Sequence, residues 1–188
     1  MQMSLKEANL MASQDEHFRK KENPARRIAE VGLLLALAVL FGYVEALIPV
    51  PMPVPGMKLG LANIVIVTIL YRRGFKEAIA ISALRVLIIG FLFGNLFSIT
   101  YGLAGTALSL LGMSLIRKCG RFSVLSVSAF GGLLHNCGQV LVAAAVVIGF
   151  PWQWYLPLLC LAGLCAGTVT GFLNCLVLPR VRRLWAAV

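Results

Sequence analysis

Long apolar segments alternate with clusters of basic residues along this chain, and this alternation constrains the fold more than any other feature. Four segments reach the roughly 20 apolar residues that a membrane-spanning helix needs. They cover about 28–48, 95–116, 124–150 and 154–178. We also predict helices at 59–71 and 75–93, which are shorter or less apolar. With these two helices included, every basic cluster falls on the same side of the bilayer.

The basic clusters set the predicted orientation, because lysine and arginine accumulate on the cytoplasmic side of a membrane protein. The clusters are Arg19, Lys20, Lys21, Arg26 and Arg27; Arg72, Arg73 and Lys76; Arg117, Lys118 and Arg121; and Arg180, Arg182 and Arg183. The remaining three links contain one lysine among them. We therefore predict an all-α protein, a bundle of six transmembrane helices with both termini in the cytoplasm.

Composition supports a membrane location and excludes a nucleic-acid-binding surface. The 188 residues are 60% hydrophobic and 13% charged, a balance that polar surface could not cover in a soluble domain of this size. Almost all of the charge behind the formal net charge of +10 lies near the ends and in the short links, so it does not form a basic face. We predict a polar cytoplasmic tail at 1–26 and a transmembrane domain at 27–188, in the cytoplasmic (inner) membrane.

A proline-rich link, Pro49–Lys58, follows the first predicted helix on the outer side. Its four prolines stand at alternate positions, which removes amide donors and fixes an extended shape. A rigid apolar link of this kind fits a lid over the outer mouth of the bundle. It fits equally well a plain connector that rests among the lipid headgroups.

Arg85 falls in the middle of a predicted helix, about 15 Å from its cytoplasmic end. A charged side chain at this depth costs several kcal/mol unless it faces the bundle interior or a wet cavity. Two interpretations remain open. Arg85 could neutralise an anionic ligand, or it could bond helix-end carbonyls and a carboxylate such as Glu45.

A second polar patch consists of His135, Asn136 and Gln139, which are adjacent or one turn apart on the fifth predicted helix. These side chains could bind a ligand, or they could join neighbouring helices by hydrogen bonds. Asn63 and Asn95 fall near the outer ends of their helices, and Lys58 ends the proline-rich link. We expect Asn63, Arg85, Asn95, His135, Asn136 and Gln139 to bind a substrate, with Lys58 as an outer contact for an anion.

The sequence contains no recognisable catalytic or cofactor site. Asp15 is the only aspartate, so no aspartate-rich site can hold magnesium and a diphosphate. No GxxxxGK[ST] phosphate loop and no nucleophile beside a base are present. The five cysteines form no CxxC pair. We therefore expect neither catalysis by this chain alone nor a bound metal, cofactor or disulfide.

Small residues recur four apart on two predicted helices, where they let helix backbones approach closely. On the sixth helix they are Gly163, Gly167 and Gly171; on the first they are Ala38, Gly42 and Ala46, with Gly32 and Ala36 on a neighbouring face. Both internal packing and docking of a partner membrane protein fit this pattern. The first helix is the better candidate for a docking face.

Three motifs resemble one known family. They are Pro49–Asn63 (PVPMPVPGMKLGLAN), Gly94–Leu110 (GNLFSITYGLAGTALSL) and Gly131–Asn136 (GGLLHN). The chain resembles the family called heptaprenyl diphosphate synthase component I, also named the Gx transporter family, over about residues 27–180. The family is similar in topology to the substrate-binding S components of energy-coupling factor transporters, which have six helices.

The resemblance to S components implies partners and a docking surface. Those proteins bind vitamins near the outer side and dock their first helix, through small residues four apart, on a membrane subunit driven by two ATPases. Ala25 with Ala29, and Gly32 with Ala36, are the positions here that could match. The implied partners are a small organic solute, a membrane coupling subunit and cytoplasmic ATPases.

Three functions fit these observations. The first is a substrate-binding subunit for the uptake of a small organic solute with an ATP-driven partner complex. The second is a non-catalytic membrane component of heptaprenyl diphosphate or isoprenoid-quinone synthesis, and the third is a scaffold subunit of a membrane flavin or redox assembly. The rigid outer link, the outward polar patch and Arg85 favour the first.

Overall fold

The structure is a computed structural model that describes residues 23–47, 60–147 and 152–186. The described residues form six helices and no strand. The helices are α1 (Pro24–Leu47), α2 (Leu61–Arg72), α3 (Phe75–Phe93), α4 (Leu96–Lys118), α5 (Val124–Val146) and α6 (Trp152–Ala186). The order agrees with the predicted helices, and α6 extends beyond the predicted 154–178 at both ends.

Local sequence determines where several helices begin. The Asn95 side chain accepts a hydrogen bond from the backbone N–H of Ser98 at 2.8 Å, which caps α4. The Ser123 hydroxyl accepts one from the N–H of Ser126 at 3.2 Å and caps α5. Gly60 precedes α2 with a φ of 79°, a backbone conformation that glycine adopts without strain.

Four of the six helices are long and apolar enough to span a membrane: α1, α4, α5 and α6. α2 is too short, with 12 residues. α3 has 19 residues, but it carries three charged residues, Lys76, Glu77 and Arg85, more than the four spanning helices carry over an apolar stretch of comparable length. These four helices make the chain a multi-pass membrane protein.

Neighbouring helices run antiparallel, as close contacts between their glycines and facing residues show. Gly90 of α3 faces Ile99 of α4, and Gly102 of α4 faces Val86. On the other side of α4, Gly105 faces His135 and Gly138 of α5 faces Ala104. The chain therefore folds up and down through the bundle.

The α5–α6 contact is the most extensive in the molecule. It rests on glycines at the same height on the two helices. A Cβ atom built on Gly132 would lie 2.1 Å from the Gly163 carbonyl oxygen, and one on Gly167 would lie 2.5 Å from that of Ser128. No side chain fits between these backbones, so the interpretation of Gly163 and Gly167 as internal packing residues is confirmed.

α2 lies at the centre of the bundle, where it packs against α1, α3 and α6. Residues 65–70 are all buried, a run too long for one helix face alone. Its Thr68 hydroxyl donates a hydrogen bond at 2.8 Å to the side-chain oxygen of Asn174, which is fully buried on α6. This bond gives Asn174, a polar side chain at membrane depth, a hydrogen-bond partner, and it fixes α2 to α6.

A buried ionic cluster joins α1 and α2 at one end of the bundle, which we call the basic end. The carboxylate of Glu30 on α1 is fully buried and pairs with Arg72 and with Arg73, at 2.5 Å from Nε of Arg72. Near the surface, Arg27 pairs with Glu77 of α3 at 2.5 Å. These contacts bring the first turn of α1 to the end of α2 and the start of α3.

Arg117 at the end of α4 completes the basic end. Its guanidinium donates to the carbonyls of Leu70 and Tyr71, the latter at 3.1 Å, and lies 4.8 Å from the centre of the Tyr71 ring. These carbonyls belong to the last turn of α2, where helix carbonyls lack partners within the helix. Arg117 therefore caps α2 from a neighbouring helix.

Candidate functional site

A cavity of about 900 Å³ lies between the helices at the end of the bundle opposite the basic end. We call this the cavity end. All six helices contribute to its lining, for example Gly42 of α1, Asn63 of α2 and Gly163 of α6. Packing defects in protein interiors rarely exceed the size of a water molecule, so a space this large is a feature of the fold.

The short length of α2 produces the cavity. At about 1.5 Å per residue, its 12 residues reach about 18 Å, little more than half the thickness of a bilayer core. The surrounding helices continue past Gly60, which precedes α2, and no helix of the described residues occupies the central position above it. Gly60 and Asn63 form part of the floor.

Arg85 extends into this space from α3. Its aliphatic part lies near Gly42 of α1, where an added Cβ would be 3.9 Å from Cδ of Arg85. The Nε atom is buried and has no hydrogen-bond partner among the described residues. A buried guanidinium nitrogen normally has an acceptor, so the unpartnered Nε is unusual, and the Arg85 side chain as a whole lines the cavity where a ligand would meet it.

Glu45 lies close enough to Arg85 to interact with it electrostatically, but its nearest partner is elsewhere. Its Oε1 accepts a hydrogen bond from the backbone N–H of Gly60 at 2.5 Å. The carboxylate thus stands at the positive end of the α2 dipole, where a negative charge is stabilised. This contact ties the end of α1 to the start of α2.

The polar patch on α5 divides into two roles. Asn136 donates from Nδ2 to the carbonyl of Leu159 at 2.5 Å, and so joins α5 to α6. Gln139 is 2% exposed, and its Oε1 has no partner among the described residues. Asn136 therefore joins two helices and also borders the cavity, whereas Gln139 lines the cavity with a side-chain oxygen that has no described partner.

The other predicted binding residues take different positions. His135 lines the cavity and packs against Gly105. This residue also takes part in a polar or aromatic interaction within the protein. Asn63 also lines the cavity. Asn95 is exposed, caps α4 and is not part of the lining. Lys58 and the rest of the proline-rich link lie outside the described residues.

The cavity also has an aromatic wall, which sequence reasoning did not identify as a unit. It consists of Phe93, Phe97, Tyr101 and Tyr155, which line the cavity on α3, α4 and α6. The Phe97 and Tyr101 rings stack with centroids 5.6 Å apart, and Phe93 contacts Tyr43 of α1 at 5.1 Å. The spacing of Phe97 and Tyr101, one turn apart at the start of a helix, was the available signal. Such pairs also occur on lipid-facing surfaces.

The remaining site predictions concern docking and metals. The predicted docking residues Ala25, Ala29, Gly32 and Ala36 are all exposed on α1. A Cβ built on Gly32 meets nothing within 4 Å, so none of the described residues packs against α1 at this position. Among the described residues, no group of three or more His, Cys, Asp or Glu side chains could hold a metal ion.

Comparison with protein families gives one match. The family model for heptaprenyl diphosphate synthase component I matches residues 34–177. The chain belongs to this family. The comparisons with curated proteins and with solved structures give no match.

The matched segment encloses the whole cavity. Every described residue that lines it lies between Gly42 and Thr170, inside residues 34–177. The family's name describes one component of a synthase. The cavity therefore belongs to the part of the chain that defines the family, whereas the exposed residues Ala25, Ala29 and Gly32 precede it.

Proposed function

We propose that this protein is a membrane-embedded binding subunit that holds a small organic solute in the cavity. The observation that carries the proposal is a cavity of about 900 Å³ lined by Arg85 and Gln139, each of which has a buried polar atom without a partner among the described residues. Small-molecule sites in proteins have volumes of about 300–1,000 Å³ and a few convergent polar groups on apolar walls. A ligand would contact both side chains.

The positive-inside rule gives the proposed orientation. The basic end would face the cytoplasm and the cavity end the outside of the cytoplasmic membrane. The solute would then enter from outside. Reporter fusions test this: one at Arg121, in the α4–α5 link, and one at Gln153, at the start of α6, should report opposite compartments. The same compartment for both would overturn the orientation.

ATP-driven inward transport would need an ATPase on another chain, because these 188 residues contain no GxxxxGK[ST] loop. The proposed partners are a membrane coupling subunit and cytoplasmic ATPases, as in the S components that the sequence resembles. The exposed face of Ala25, Ala29, Gly32 and Ala36 is the proposed docking surface. Its small side chains and lack of internal packing suit close approach by another helix.

A second candidate function follows from the family name. In it, the protein is a non-catalytic membrane component of heptaprenyl diphosphate or isoprenoid-quinone synthesis. The two functions predict different partners. Purification from the native membrane should recover a transmembrane coupling subunit with ATPases in the first case and a soluble prenyl synthase in the second.

The docking proposal has a matched pair of variants. Gly32→Leu places a large side chain on the proposed surface, and Ala80→Leu places the same side chain at an exposed position of α3. We expect Gly32→Leu to reduce recovery of the partner complex at least tenfold and Ala80→Leu to leave it unchanged. Equal recovery with both variants would exclude this face of α1.

Solute binding is tested by mass spectrometry of the small molecules that the protein retains in lipid nanodiscs. We expect a compound that is enriched with the wild-type protein and lost with Arg85→Gln and Gln139→Leu. Leu111→Gln, at an exposed position on α4 away from the cavity, controls for a polarity change elsewhere. Retention unchanged in both cavity variants would contradict the proposed site.

A further inference from the structure

The charges around the cavity restrict the chemistry of its ligand. Arg85 is the only arginine or lysine among the described lining residues, and Glu45 is the only carboxylate. The Glu45 Oε1 is already bonded to Gly60 at the start of α2. The Glu45 carboxylate keeps its charge in this bond, but no carboxylate forms a direct ion pair with Arg85 among the described residues, so the guanidinium is left to bind an anionic group of the ligand.

We infer that the ligand of the cavity is a monoanion with a flat apolar body and an N–H or O–H group near its charge. This inference rests on the proposed function and specifies the class of solute. Three features of the lining carry it: the single guanidinium, the amide of Gln139 and the aromatic wall.

The single guanidinium favours one negative charge over several. A diphosphate carries two or three charges and is normally bound by several basic side chains or by magnesium held on carboxylates. The described lining offers Arg85 alone as a fixed cation, and the described residues contain no metal-binding group. A diphosphate would leave at least one charge unmatched in a low-dielectric space, which is unfavourable.

Gln139 adds the requirement for a donor. Its amide is buried on α5, and Oε1 lacks a partner among the described residues. Because an amide has both an acceptor oxygen and a donor nitrogen, it can bind an N–H or O–H of the ligand and an acceptor beside it. A lipid chain has neither group, so a purely hydrocarbon ligand would leave this amide unsatisfied.

The aromatic wall indicates a flat body. Phe93, Phe97, Tyr101 and Tyr155 line the cavity together with the apolar residues Ile89 and Leu159. Aromatic side chains form favourable offset or edge contacts with a ring, beyond the gain from burial of apolar area. The ligand would place its charge at Arg85 and its ring against this wall.

Four probes that differ in charge test the inference in lipid nanodiscs. They are indole-3-acetate, a monoanion; indole-3-acetamide, its uncharged analogue; tryptamine, a cation; and geranyl diphosphate, a diphosphate with an apolar chain. We expect indole-3-acetate to bind the wild-type protein at least tenfold more tightly than each of the others. Native mass spectrometry or the shift in thermal midpoint measures this binding.

Two variants identify the groups responsible. Arg85→Gln should remove the preference for indole-3-acetate over indole-3-acetamide, and Tyr101→Leu should weaken both of these probes by the same factor. Tighter binding of tryptamine or geranyl diphosphate, or a preference that survives Arg85→Gln, overturns the inference.

Failure of all four probes to bind also overturns the inference, since a flat monoanion with a ring N–H is the class that it names. The proposed function is judged separately, by the compound that the purified protein retains. A retained compound with several charges, or with none, would overturn the inference and leave solute binding in place.

Discussion

The two ends of the bundle differ in whether their buried charged side chains form ion pairs. At the basic end, the Glu30 carboxylate is fully buried and pairs with Arg72 and Arg73. At the cavity end, Arg85 forms no direct ion pair among the described residues, and the nearby carboxylate of Glu45 bonds the start of α2 instead. Paired charges hold helices together, whereas an unpaired charge costs stability and is available to a ligand.

The comparison predicts that contacts at the basic end contribute more to the free energy of unfolding than contacts at the cavity end. Glu30→Ala leaves the buried Arg73 and the partly buried Arg72 without their carboxylate, and breaking such a pair costs about 3–5 kcal/mol. Reversible unfolding in detergent micelles measures the change. The control is Glu77→Ala, which breaks the more exposed pair with Arg27 and should cost less than about 1 kcal/mol. Equal effects would contradict the distinction between buried and exposed pairs.

A substitution at the glycine contact between α5 and α6, which we call the seam, should destabilise the protein nearly as much as Glu30→Ala, although no charged side chain is involved. In Gly132→Ala the new Cβ would lie 2.1 Å from the Gly163 carbonyl oxygen, so the helices must separate. Overpacking of this kind costs about 1–3 kcal/mol. The same unfolding measurement applies, with Gly32→Ala as the control, because nothing lies within 4 Å of its added Cβ. A stable Gly132→Ala protein would mean that the seam tolerates wider spacing.

Arg85→Met should act in the opposite direction to Glu30→Ala. It removes a buried charge without a described partner and fills the same volume with an apolar chain. We expect the free energy of unfolding to rise by about 0.5–2 kcal/mol, as for other substitutions that trade function for stability, while solute binding is lost. A loss of stability comparable to that of Glu30→Ala would show that Arg85 is paired as strongly as the arginines of the basic end.

The smallest expected effect concerns the hydrogen bond between Thr68 and Asn174, which joins α2 to α6. Thr68→Val keeps the shape of the side chain and removes the hydroxyl that donates at 2.8 Å. Hydrogen bonds between helices in membranes contribute about 0.6 kcal/mol on average. Asn174 still donates to the Thr170 carbonyl in this variant. A cost above about 2 kcal/mol would make this bond, rather than the Glu30 cluster, the main attachment of α2.

Much of the fold could be predicted from sequence, because lipid imposes strong rules on composition. The apolar segments located four helices and the alternation of basic clusters located the other two, while the scarcity of polar residues at membrane depth identified Asn63, Arg85, His135 and Gln139, which line the cavity. A polar side chain in hydrocarbon must face the interior. Sequence alone therefore identifies such residues without an alignment.

The division of roles among these residues could not be predicted. Asn136 and Gln139 are three positions apart, and only the rotation of α5 against α6 decides which one meets the Leu159 carbonyl. Glu30 lies in the first turns of α1, where a charged side chain is also expected at the membrane surface. Nothing in the sequence therefore indicated that its carboxylate is buried between Arg72 and Arg73. Asn95 was predicted to bind the substrate, but it caps α4. An asparagine directly before an apolar helix suits either role, so its position in the sequence did not distinguish them.

The short central helix has a consequence for how such a protein could change its ligand. Each added turn at the start of α2 would raise the floor of the site by about 5.4 Å, and each deleted turn would lower it by the same amount. The five outer helices could keep their positions throughout. One segment would then tune the depth of the chamber, independently of the membrane-facing surface.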